Sequence, residues 1–250
     1  VAQLGERADA ERKKKVDPTE DNMLKITGDG RRAALDMRAV YSSADENPTG
    51  KLASVAENVY RIWDEAKAAK LTQTIMLDIS TPTETSKEHG FTAYSALRTL
   101  LTERGIPADE IAFIHDYETD AEKQELFRKF NAGEVRVLLG STDKLGVGAN
   151  IQKRLVAMHH TDAPWRPTDI DQRNGRIERQ GNENKTVQIY IYVTKGTFDA
   201  YMWQTIQRKL GFVNQALRGK LNVRHMEDVD GRALTAAEAK ALATGNPIVM

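Results

Sequence analysis

Apolar positions along the chain change period several times, and each change predicts an element. From Lys51 to Lys70, Leu52, Val55, Val59, Ile62 and Trp63 recur at three- and four-residue steps, the stripe of an amphipathic helix. Short apolar runs then alternate with helical patterns. TIMLDI over 74–79 reads as a strand, and 92–104 as a helix closed by Gly105 and Pro107. IAFIH over 111–115 is a second strand, followed by a helix over 120–131 with Leu126, Phe127 and Phe130 inward. Strands are expected at 135–139, 155–159 and 187–193, a helix starts near Thr168, and a long helix runs from Thr197 to about Leu217. Asp29 before Gly30 reads as the N-cap of a short helix.

Strands that alternate with helices predict an α/β fold: a mostly parallel sheet with helices on both faces, and helical additions at each end. In such sheets ligands sit at the carboxyl ends of the strands. The expected organisation is a helical lead-in and docking helix over 1–70, a lobe over 71–222, and a polar, Ala-rich tail over 223–250. Arg12-Lys13-Lys14-Lys15 lies in a polar opening that reads as a solvated helix or a lead-in without structure, in preference to a nucleic-acid-binding arm.

Composition narrows the classes. The 250 residues carry 36 Lys+Arg and 36 Asp+Glu, so a uniform nucleic-acid coat is not favoured, although a basic patch on one face is compatible. The chain has no cysteine, which excludes disulfides and thiolate zinc sites and fits a cytoplasmic protein. No apolar run approaches a membrane span. The chain opens on Val1 in a polar stretch, as a piece of a longer protein would.

Candidate chemistry concentrates between Leu138 and Asn182. After one apolar run comes Ser141-Thr142-x-x-x-Gly146-x-Gly148-x-Asn150-x-Gln152. Two hydroxyls at a strand end suit a phosphate oxygen, the glycines allow close backbone approach, and Asn150 offers donor and acceptor to a sugar hydroxyl. Gln172-x-x-Gly175-Arg176-x-x-Arg179-x-Gly181 follows. Arginines three apart share a helix face, and a guanidinium forks onto phosphate oxygens. The competing explanation is a charged helix face with Arg–Glu pairing through Glu178.

Other motifs stay open. Ser80-Thr81-Pro82 is either a phosphate-contacting loop or a plain turn, and His115-Asp116 is a contact loop or a polar strand end. His159 and His160 are neighbours on a strand and point to opposite faces, so no metal site is expected. Asp162-Ala163-Pro164-Trp165 stands one residue from the Asp-Pro-Pro-Trp signature of adenine methyltransferases, but no glycine-rich loop for that cofactor accompanies it. The phosphate loop Gly-x-x-x-x-Gly-Lys-[Ser/Thr] is absent from the sequence.

The two blocks, with APWRPTDIDQRNGRIERQGN, FIHDYET and VTKGTFDAYMWQ around them, resemble motifs V and VI of superfamily-two helicases near the Swi/Snf remodellers. The likeness covers about 22–217 and extends to the helicase part of phage and mobile-element proteins that join a DNA methylase to a helicase. It implies a RecA-like second lobe, with Arg176 and Arg179 as arginine fingers. Gly146, Gly148, Asn150 and Gln172 would line ATP, and Thr81, Ser141, Thr142 and Lys144 would face a DNA backbone. Implied partners are double-stranded DNA, an N-terminal RecA-like lobe that holds the phosphates and Mg²⁺ of ATP, and a DNA-methylase domain. On this likeness the lobe alone is inactive. The alternative is a non-catalytic nucleic-acid-binding or regulatory module.

Overall fold

The computed structural model describes residues 21–83, 90–146 and 148–217, together with Leu4, Glu6, Arg7, Ala10, Lys13 and Asp17. The tail expected over 223–250 and most of the lead-in expected over 1–20 lie outside the described residues. Two compact units are present. One comprises the described residues of Val1–Ala34, Ala163–Pro167 and Val193–Met250; the other comprises Leu35–Asp162 and Thr168–Tyr192.

The second unit holds a five-stranded, all-parallel sheet in the order β2-β3-β1-β4-β5. Its strands are β1 (Thr72–Met76), β2 (Ile111–Phe113), β3 (Val137–Gly140), β4 (Leu155–His160) and β5 (Gln188–Ile191). Side-chain alternation sorts the core into two layers. Ile75, Ile111, Phe113, Val137 and Leu139 pack with Leu52, Val55, Val59 and Trp63 of α2 (Lys51–Glu65) and with Tyr94, Leu97 and Leu101 of α3 (Ala93–Glu103). Met76, Ala112, Leu138 and Met158 face the other way. They meet Leu126, Phe127 and Phe130 of α4 (Asp120–Ala132), Leu145 of α5 (Thr142–Gly146) and Ile177 of α6 (Pro167–Ile177). A sheet covered on both faces explains why its strands read as short apolar runs. Each fully buried aliphatic or aromatic side chain there is worth about 1.5–3 kcal/mol.

Strand boundaries differ from the sequence expectation for local reasons. β1 begins at Thr72, before the apolar run, because polar Gln73 is satisfied internally: its Nε2 donates to Val59 O at 2.9 Å. β1 stops before Asp78 because the Asp162 carboxylate takes the next backbone donors, Asp78 N at 2.7 Å and Ile79 N at 2.8 Å. The second strand is cut to Ile111–Phe113 by a 3₁₀ turn over Ile114–Asp116. Helix α6 ends at Ile177, where Asn182 Nδ2 donates to Ile177 O at 3.0 Å and to Leu155 O at 2.9 Å.

In the first unit the expected cap at Asp29 is wrong. Helix α1 runs over Met23–Leu35 and is capped by Asn22, whose Oδ1 accepts from Lys25 N at 3.0 Å. Asp29 lies inside the helix and pairs with Arg7 and Arg32. Gly30 passes through the helix because of packing: a Cβ there would stand 2.6 Å from the Phe198 ring. Phe198 opens α7 (Phe198–Leu217), where Phe198, Tyr201, Met202 and Ile206 are buried as the periodicity predicts. Among the described residues no helix is long and apolar enough to cross a membrane.

Candidate functional site

The carboxyl ends of β1, β3 and β4 converge on one buried side chain, Arg173 of α6. Its Nε donates to Thr142 Oγ1 at 2.8 Å, Nη1 to His160 Nδ1 at 3.3 Å and to Asp162 O at 3.0 Å. Nη2 donates to Asp78 Oδ2 at 2.7 Å and Asp162 Oδ1 at 3.1 Å. Every N–H of the guanidinium therefore has an acceptor. Asp78 also holds Thr142, accepting from its N at 2.6 Å and its Oγ1 at 2.8 Å. Burial opposes the charge on Arg173, yet Asp162 and Asp78 win and raise it above its ordinary value.

The histidines behave as their strand positions predict. His159 Nε2 donates to Gln73 Oε1 at 3.0 Å, because Gln73 uses its amide nitrogen elsewhere. His159 Nδ1 must then accept, from Tyr192 Oη at 2.8 Å. Burial drives His159 down to about 3. On the opposite face, His160 Nε2 donates to Asn174 Oδ1 at 2.9 Å and Nδ1 accepts from Arg173. Burial, then the Arg173 charge, lowers His160 to about 4. Among the described residues no cluster of three potential metal ligands exists.

The block Ser141–Gln152 and the block Gln172–Gly181 touch directly. Arg179 Nη1 donates to Asn150 Oδ1 at 2.7 Å, and Gln152 Nε2 donates to Gln180 O at 3.4 Å. Arg176 sits half-buried on the last turn of α6, with Nε enclosed and without a hydrogen-bond partner; Gln152 Oε1 is in the same position. Burial and the charge of Arg179 pull Arg176 below its ordinary value. The guanidinium stays charged at neutral pH. Arg179 lies beyond the end of α6, so the two arginines do not share one continuous helix as the spacing suggested.

The remaining candidates scatter. Gly148 is exposed with φ +75 and nothing within 4 Å of where a Cβ would stand, which leaves its backbone open to a ligand. Gly146 is the last residue of α5. Gln172 and Lys144 are exposed, and Thr81 is half-buried in the loop after β1. Ser141 and Thr142 are buried, and their hydroxyls act within the fold: Ser141 Oγ accepts from Lys144 N at 3.3 Å, and Thr142 is tied to Asp78 and Arg173. Arg173 and Asp78 escaped sequence reasoning. The available signal was an arginine on the buried stripe Ile170, Arg173, Ile177, where an apolar residue is expected.

Residues 78–181 match the helicase conserved C-terminal domain. The "Defense against restriction protein B" of Escherichia phage P1 is 33% identical over 107 residues, which cover 43% of this chain and 5% of that protein. The SWI/SNF-related matrix-associated actin-dependent regulator of chromatin subfamily A-like protein 1 of Xenopus tropicalis is 31% identical over 101 residues, 39% of this chain and 10% of that protein. The chain thus spans a small fraction of the curated relatives it matches. The crystal structure of the C-terminal part of the Fun30 ATPase domain superposes with a TM-score of 0.50 at 16% identity, covering 80% of this chain and 54% of that one, a likeness of fold. The domain match begins at Asp78, which anchors Arg173, and ends at Gly181, which closes the arginine block: residues 78–181 of this chain are similar to the conserved C-terminal domain of helicases.

Proposed function

We propose that this lobe, centred on residues 71–222, supplies half of an ATP site in a DNA translocase, the other half coming from an N-terminal lobe. The observation that carries the proposal is the half-buried Arg176, whose Nε lacks an acceptor, beside exposed Arg179. An enclosed guanidinium N–H without an acceptor, beside a second, exposed guanidinium, suits the oxygens of a nucleotide phosphate. Open backbone at Gly148 and the Asn150 amide complete a polar rim that fits a nucleotide. When bound, ATP supplies the phosphoryl chemistry. This chain's part is to present Arg176 and Arg179 to phosphate oxygens, with Arg179 exchanging Asn150 for the ligand. Acidic ligands for Mg²⁺ would come from the other lobe.

DNA is the proposed nucleic acid, with Lys144 and the loop at Thr81 toward its backbone. The hydroxyls of Ser141 and Thr142 serve the lobe's own packing, which leaves the exposed Lys144 ammonium as the side-chain donor proposed there. A DNA-methylase domain as a further partner rests on the sequence likeness alone.

The test is ATP turnover in the intact protein with DNA present. Arg176→Ala and Arg179→Ala should each abolish most of it. Undiminished turnover would leave the lobe as a nucleic-acid-binding module without motor duty.

A further inference from the structure

One guanidinium with an acceptor for every N–H is not among the two arginines offered to the nucleotide. Arg173 is 1% exposed, and its donors reach the ends of three parallel strands: Asp78 after β1, Thr142 after β3, and His160 and Asp162 at and after β4. Those groups belong to separate loops. Asp78 opens the loop with Thr81, Thr142 opens α5 with Lys144, and Asp162 ends the backbone of β1 by holding Asp78 N and Ile79 N.

The helix that carries Arg173 needs such an anchor. Its buried stripe is Ile170, Arg173 and Ile177, so the arginine stands between the two isoleucines that bury the helix. Apolar contacts are non-directional and leave rotation about the helix axis loosely specified. A guanidinium with five fixed N–H directions specifies it sharply. Rotation by one residue would swing α6 by about 100° and carry Gln172, Gly175 and Arg176 away from their places.

We propose that Arg173 is a positioning residue: through Asp78, Thr142 and Asp162 it fixes the rotation of α6, and hence the aim of Arg176, to the same loops that would meet DNA. The assignment rests on the function proposed above. It makes the Asp78–Thr142–Arg173 contact the link through which a change at the Thr81 or Lys144 loops reaches the nucleotide arginines.

The experiment compares Arg173→Lys, Thr142→Val and Arg176→Ala in the intact protein, with ATP turnover normalised to the folded fraction from circular dichroism. Lysine keeps the charge but loses the planar fork. Valine keeps the threonine shape and removes the hydroxyl that bridges Asp78 and Arg173 Nε beside their direct contact. Both are expected to keep the KM for ATP within a few-fold and to lose kcat by about 10²-fold, the cost of misplacing a reacting group by roughly 1 Å. DNA stimulation of turnover should fall in parallel. A loss of activity that only tracks the loss of folded protein overturns the proposal, as does full kcat in either folded variant. If Arg173→Lys does not fold, Thr142→Val decides alone. Should Arg176→Ala itself retain turnover, the function proposed for the lobe fails; should it abolish turnover while Thr142→Val is unaffected, only the positioning role fails.

Discussion

Asn150 and Arg179, 29 residues apart in sequence, are joined by a 2.7 Å hydrogen bond from the guanidinium Nη1 to the amide Oδ1. Both side chains are exposed, so the contact adds little to stability. Its importance is positional. It parks Arg179 on Asn150, the residue proposed to face the ribose. Asn150→Ala should leave the melting temperature within a degree or two and weaken ATP use about 2–10-fold, the value of one ordinary hydrogen bond. Steady-state kinetics on the intact protein read this directly. No change in KM or kcat would remove Asn150 from the nucleotide rim.

Arg176 is expected to trade stability for function. Its buried, unpartnered Nε is a cost in the lobe by itself. Arg176→Ala should therefore change unfolding free energy by no more than about 0.5 kcal/mol. Turnover in the intact protein should fall by about 10³-fold or more, in the range seen for arginine fingers. Denaturant melts of the lobe beside kinetics of the whole protein separate the two effects. A large stability loss with a small kinetic loss would make Arg176 structural.

Acid should destabilise the lobe from just below neutrality. His159 and His160 titrate at about 3 and about 4 in the fold, against 6.5 ordinarily. A histidine whose value is lowered by folding binds fewer protons folded than unfolded between those values. Its contribution is complete above pH 6.5 and is lost as pH falls toward the folded value. Each such group steepens the loss by up to about 1.4 kcal/mol per pH unit. Melts between pH 7.5 and about 4.5 measure the slope, and His160→Gln should remove roughly half of the two-histidine part. An unchanged slope would show that His160 is not buried neutral.

Gly30→Ala sets two effects against each other. Alanine is the better helix former by about 1 kcal/mol. The new Cβ, however, would stand 2.6 Å from the ring of Phe198, which is 1% exposed and cannot swing aside. Overpacking of that kind costs about 1–3 kcal/mol, so the net expectation is destabilisation. Thermal melts of Gly30→Ala with and without Phe198→Ala test it, since the second change should make the first favourable. Stabilisation by Gly30→Ala in the wild-type background would refute the contact.

DNA binding by the lobe should be weak and salt-sensitive. If Lys144 meets a backbone phosphate, Lys144→Ala should reduce the slope of log K against log salt by about 1 and weaken all sequences alike. Fluorescence anisotropy over a salt series gives that slope, and an unaltered slope would place Lys144 away from DNA.

Much of this lobe was legible in one dimension. Alternating short apolar runs and amphipathic stripes determine a two-faced parallel sheet, because a strand covered on both sides must be apolar throughout while a helix need only fill one stripe. The motif spacing likewise determined that the candidate residues lie on loops at one edge of the sheet, since parallel strands bring their carboxyl ends to one edge whatever the details of packing. The boundaries were less legible. β1 ends where Asp162, 84 residues away, captures its next backbone donor, and α1 runs through Gly30 because Phe198 fills the space above it. Local propensity contains neither partner.

The site divided in the same way. Residue types and spacing were enough to single out Arg176, Arg179 and Asn150, whose proposed work is done at the surface toward a ligand. Only the tertiary structure decided that Thr142 is turned inward and that Arg173, silent in the pattern, is the charge on which three loops close. A buried ion is stable only among specific acceptors, and those come from Asp78 and Asp162, 95 and 11 residues away. Sequence periodicity records which face a residue occupies; it does not record which distant groups wait there.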